Sequence, residues 1–64
     1  MKLTFDDFQL LDHVITKNGS LFTIGLKNDE NFITREKAFK EYKNDQLLSK
    51  TVDIDGEQVF EDLK

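Results

Sequence analysis

Two dipeptides constrain this chain more than any other feature: Asn18-Gly19 and Asp55-Gly56, each set between residues that alternate apolar and polar. Both central residues of a type I′ turn need positive φ, which Asn, Asp and Gly tolerate, so each dipeptide reads as the joint of a β-hairpin. His13-Val14-Ile15-Thr16-Lys17 leads into the first. Ser20 to Leu26 leads out, with Phe22, Ile24 and Leu26 on one face. Around the second, Val52 and Ile54 share a face of the incoming strand, and Gln58 and Phe60 share a face of the outgoing one. Gly19 also suits the position just past a helix end, so a single helix running to Lys17 is the competing reading of residues 12–17.

Helix signals lie outside the hairpins. Thr4 precedes Phe5, Asp6 and Asp7, a capping residue followed by acids that complement the helix dipole. Phe8, Leu11 and Ile15 then recur at helical spacing. Lys27 to Asn31 is a polar loop, and Phe32-Ile33 reads as a short extended piece. Thr34 is the best helix start in the chain: it caps Arg35 onward, Ile33 can staple over Ala38, and Ala38, Phe39 and Tyr42 form the apolar stripe. The expected fold is α+β. A small antiparallel sheet of two hairpins, near 13–26 and 51–60, carries one or two helices, near 4–11 and 34–45, on one face.

The chain's 64 residues make one compact domain, 1–64, with a small core. A chain this short buries only about 60% of the surface its unfolded form exposes. Apolar residues at 38%, including six Phe and one Tyr, are enough to drive folding. With no Cys, disulfides and thiolate metal sites are excluded, and one His cannot anchor a histidine zinc site. Oligomerisation is the remaining way to reinforce so small a core, so the expected state is monomer or homodimer. Neither a secretory apolar run after Met1 and Lys2 nor a stretch of membrane-spanning length is present, and the expected address is the cytoplasm.

Candidate chemistry is sparse. Thr51, Asp53, Asp55, Gly56 and Asp62 follow the spacing of an EF-hand loop, but Thr stands where the first Asp belongs and Asp where the closing Glu belongs. A β-turn with solvated acids is the better reading. His13 beside Asp12 or Asp7 has the composition of a general-base pair, yet nothing marks Ser20, Ser49 or any Thr as a nucleophile. No catalytic residue, cofactor or metal is therefore expected.

Charge is the most informative global property. Thirteen acidic and nine basic side chains give a net charge of −4, distributed unevenly. Arg35, Lys37, Lys40 and Lys43 form a basic face on the second helix, diluted by Glu36 and Glu41. The segment Asn31-Phe32-Ile33-Thr34-Arg35-Glu36-Lys37-Ala38 resembles the strand-into-helix step of the small arm-type DNA-binding domains of tyrosine recombinases, where an aromatic strand residue, a capping Thr and an Ala open the packed helix. That resemblance spans only this segment, and those domains are basic where this chain is acidic. It implies an alternative function, a small nucleic-acid-binding accessory protein using the basic face.

The tail carries Asp53, Asp55, Glu57, Glu61 and Asp62 with no base between Asp53 and Asp62, and Phe60 among them. Spaced carboxylates can occupy a basic nucleic-acid-binding groove on another protein, because the potentials are complementary. In size and charge the chain is similar to small acidic inhibitors carried by phages and mobile elements. The leading expectation is thus a non-enzymatic protein–protein interaction module, an inhibitor of a nucleic-acid-binding protein. Its working residues are Asp53, Asp55, Glu57, Phe60, Glu61 and Asp62.

Overall fold

A computed structural model describes residues 2–25 and 31–63. After a 3-10 turn at Phe5–Asp7, the order is β1 (His13–Thr16), β2 (Leu21–Ile24), β3 (Phe32–Ile33), α1 (Arg35–Lys43), β4 (Leu47–Ile54) and β5 (Glu57–Asp62). The strands form one five-stranded sheet in the order β3-β2-β1-β4-β5. The fold is α+β, with one α-helix among the described residues packed on the sheet. The end of the expected first hairpin, at Leu26, lies outside the described residues.

Both hairpins form, and residues 13–16 are strand rather than helix. Their joints differ. Asp55 (φ 53°) and Gly56 (φ 83°) both occupy the left-handed region, so the second is the type I′ turn that Asp-Gly favours. At the first, Gly19 alone has positive φ, at 90°. Its N–H donates to the Thr16 carbonyl (2.9 Å), while the Thr16 N–H donates to the Ser20 carbonyl (2.9 Å). A three-residue loop with glycine at its left-handed position therefore replaces the two-residue turn. The second hairpin is longer than expected, running from Leu47 to Asp62 rather than 51–60.

The sheet is mixed rather than wholly antiparallel. β1 pairs antiparallel with β2 and β4, and β4 with β5, but β3 runs parallel to β2. α1 begins where Thr34 accepts a hydrogen bond from the Lys37 N–H (3.1 Å). It stops at Lys43, short of the expected residue 45. Asp45 turns left-handed at φ 59°, the Gln46 N–H bonds the Glu41 carbonyl (2.8 Å), and the Asp45 N–H bonds the Tyr42 carbonyl (3.0 Å). This is a Schellman stop with Asp in the place usually held by Gly.

The helix expected over 4–11 contracts to the 3-10 turn because its backbone finds tertiary partners. Arg35 donates to the Phe8 carbonyl (2.5 Å) and the Phe5 carbonyl (3.4 Å), and the Leu11 N–H bonds Ile24 (2.7 Å). Leu11, at φ 74° and exposed, turns the chain into β1. Phe8 alone of the expected stripe is fully buried.

Phe8, Val14, Ile24, Ile33, Ala38 and Leu47 form the core, flanked by Phe39 and Tyr42 of α1. Phe39 meets Phe8 edge-on, with ring centroids 5.8 Å apart. Into this core the fold places a charge. Lys50 Nζ lies 2.8 Å from Asp12 Oδ2, with side-chain exposures of 3% and 10%. The ammonium also donates to the Thr51 carbonyl (2.7 Å) and faces the Phe8 ring, 5.3 Å from its centroid. Asp12 additionally accepts from the Gln9 N–H (3.0 Å) and from Gln58 Nε2 (3.0 Å).

Removing one member of such a pair leaves a buried, unsatisfied charge, at a cost of about 3–5 kcal/mol. Asp12→Ala should accordingly lower unfolding stability by about that amount in urea titration. Lys50→Met combined with Asp12→Leu should recover most of the loss. A single-variant cost below about 1 kcal/mol would show that the pair is not desolvated.

Candidate interaction surface

In an antiparallel pair, directly opposed residues share a face. Lys50 opposes Val14 of β1 and Glu61 of β5, Val52 opposes Val59, and Ile54 opposes Glu57. These residues therefore lie on the face that α1 covers. Ser49, Thr51 and Asp53 oppose Asp62, Phe60 and Gln58, and these lie on the face without the helix.

All six residues expected from the sequence stand on the β4–β5 hairpin, and every residue from Asp53 to Phe60 is exposed. They do not form one patch. Asp53, Phe60 and Asp62 occupy the uncovered face, Glu57 and Glu61 the other, and Asp55 the tip. Phe60 is 46% exposed, so it can anchor a contact. The sequence reading missed Ile54 and Val59, 53% and 43% exposed, which share a face with Val52. Their place on one face is a signal present in the sequence, since the type I′ turn sets the register that opposes Val59 to Val52 and Glu57 to Ile54.

Side-chain bonds of Gln58 and Thr51 tie the hairpin to Asp12 and His13. Gln58 Nε2 donates to the buried Asp12 carboxylate, while Gln58 Oε1 lies 3.1 Å from His13 Nδ1. The hydroxyl of Thr51 accepts from the His13 N–H (2.8 Å). The His13–Asp12 pairing considered for general-base chemistry is not built: His13 meets Gln58, and Asp12 is committed to Lys50, Gln58 and Gln9.

Asp6, Asp7 and Asp53 come together around a shallow cavity of about 230 Å³ whose lining includes Asp12 and Lys50. Among the described residues, no group of three or more His, Asp and Glu could hold a metal ion. Asp7 accepts from the Thr4 N–H (2.7 Å) and the Thr4 hydroxyl (3.1 Å). Those two bonds, the backbone one first, hold its carboxyl below the usual carboxylate range. A second cavity, about 600 Å³, has Phe5, Phe39, Tyr42, Leu63, Lys2 and Lys43 among its lining residues.

The basic face is depleted by the fold. Arg35 is half-buried, its guanidinium bonded to the Phe8 and Phe5 carbonyls and stacked 4.3 Å over the Phe5 ring. Lys43 Nζ lies 5.4 Å from the Phe39 ring centroid. Lys37 and Lys40 stand exposed on α1 between the acidic Glu36 and Glu41. No helix among the described residues is long and apolar enough to cross a membrane. No protein-family model, curated protein or solved structure matches the chain.

Arg35→Gln tests whether this residue is structural. It should cost about 2 kcal/mol of unfolding stability, because two charged hydrogen bonds are lost; an unchanged midpoint would return Arg35 to the candidate surface.

For Asp7, a depressed folded-state pKa adds stability above the unfolded pKa, and the contribution disappears as pH falls through the folded value. Thr4→Ala should raise the Asp7 pKa partway toward normal in a carboxyl NMR titration, with the backbone bond retaining the rest. An unmoved titration would show that the hydroxyl does not act on Asp7.

Proposed function

We propose that the protein is a non-enzymatic interaction module that uses the acidic β4–β5 hairpin to bind another protein, occupying a basic, nucleic-acid-binding groove and blocking it. One observation carries the reading: Asp53, Asp55, Glu57, Phe60, Glu61 and Asp62 stand on a single hairpin whose residues 53–60 are all exposed. Their charges are of one sign and mostly in water, where complementarity accelerates encounter and selects a basic partner. Phe60 adds an apolar anchor of the kind that dominates binding energy at interfaces. The nucleic-acid reading is weaker, because Arg35 is bound into the fold and Lys37 and Lys40 are interleaved with acids.

Among the described residues Asp53, Glu57, Glu61 and Asp62 hold no side-chain hydrogen bond or ion pair, and Asn keeps the left-handed turn at position 55, so Asp53, Asp55, Glu57, Glu61 and Asp62 can be replaced together by Asn or Gln. Tagged wild-type and charge-stripped proteins, incubated with lysate at low and high salt, give the test. The expected outcome is one stoichiometric protein that high salt releases and the stripped variant fails to capture, with the far-ultraviolet spectrum unchanged. Equal capture by the stripped variant, or retention of nucleic acid that Lys37→Gln and Lys40→Gln abolish, would overturn the reading.

A further inference from the structure

The hairpin presents a backbone as well as charge. A two-residue type I′ turn makes its flanking residues, Ile54 and Glu57, a hydrogen-bonded pair, and such pairs then alternate along the ladder. Val52 with Val59 and Lys50 with Glu61 are the next two. The Leu63 N–H donating to the Leu48 carbonyl (3.1 Å) continues the same alternation. The backbone N–H and C=O groups of Gln58, Phe60 and Asp62 must consequently point away from β4. β5 is the last strand of the sheet and pairs only with β4 among the described residues. It offers a six-residue open edge, whereas β3 at the far side has two residues.

Open edges invite pairing, and proteins commonly guard them with charge. Here the guard has one sign. A second copy paired antiparallel about Val59 would set Glu57 against the copy's Glu61, and like charges directly opposed are destabilising. In that register the edge disfavours its own copy, while a strand that carries basic residues at those positions is favoured.

We infer that the β5 edge binds an extended, lysine- or arginine-bearing segment of another protein as an added antiparallel strand, through the outward backbone groups of Gln58, Phe60 and Asp62. The inference rests on the acidic-hairpin reading and supplies its geometry. Basic residues of the added strand fall on the face of Glu57 and Glu61, and apolar residues fall beside Phe60, because side chains alternate along both strands.

The probe is a short peptide of alternating lysine and valine, compared with the same peptide N-methylated at the residues whose N–H would meet β5. The wild-type protein should bind the first peptide with protection of the Gln58, Phe60 and Asp62 amides from hydrogen exchange. N-methylation should weaken binding at least about tenfold, the loss expected when backbone hydrogen bonds to a strand edge are removed. Glu57→Gln with Glu61→Gln should weaken both peptides. If both peptides bind alike and those amides stay unprotected, edge pairing is wrong while the acidic surface stands. Binding that is indifferent to the glutamate substitutions would remove the acidic reading itself, and no binding of either peptide would overturn the inference.

Discussion

The fold is organised around the Asp12 carboxylate. It sits at the end of the segment that carries Phe8, and it takes Lys50 of β4 on one oxygen and Gln58 of β5 on the other. A buried ammonium satisfied by one carboxylate, one carbonyl and one aromatic face is costly to form and costlier to break. Its value here is positional. The same carboxylate accepts from the Gln9 N–H, which ties the chain between the 3-10 turn and β1 to it. Among the described residues no buried side-chain polar atom is left unpartnered, which is the condition under which a polar core specifies a structure instead of loosening it.

That arrangement joins the small core to the surface proposed for binding. The hairpin tip buries little: Ile54, Val59 and Phe60 are all substantially exposed. Its orientation depends on the β4 ladder to β1, on the Thr51 hydroxyl beneath His13, and on Gln58 reaching Asp12. A hairpin held at its base and free at its tip can keep acids of one sign close together, since water screens them there. The proposed added strand accounts for the open β5 edge and the two-faced spread of carboxylates together. A strand has two faces and an edge, and an added strand would meet the acids of both faces while a flat partner would meet those of one.

The sequence showed what local chemistry determines. Asp55-Gly56 specified its turn completely, since both residues adopt positive φ, and Thr34 capped α1 where its spacing to Ala38 and Tyr42 required. What stayed hidden was tertiary. Thr4, Asp6 and Asp7 are sound helix-opening residues, and they open a 3-10 turn, but Arg35 and Ile24 capture the backbone groups that a longer helix needs. Asn18-Gly19 has the composition of a type I′ turn, yet only Gly19 turns left-handed. The hairpin acids were legible as a cluster because they are close in sequence. Their division between two faces was legible only from the register that the Asp-Gly turn sets. The pairing of Asp12 with Lys50 was not legible, because nothing local in either residue marks it as buried.

Native-state hydrogen exchange of Asp12→Asn against the wild type tests whether the buried carboxylate holds the β4–β5 hairpin in place. The account predicts that the inward-facing amides of Glu57, Val59 and Glu61 lose protection ahead of the β1–β2 ladder, because Asn cannot serve Lys50 and Gln58 together as a carboxylate does. Hairpin amides that remain as protected as in the wild type, while the variant stays folded, would contradict it.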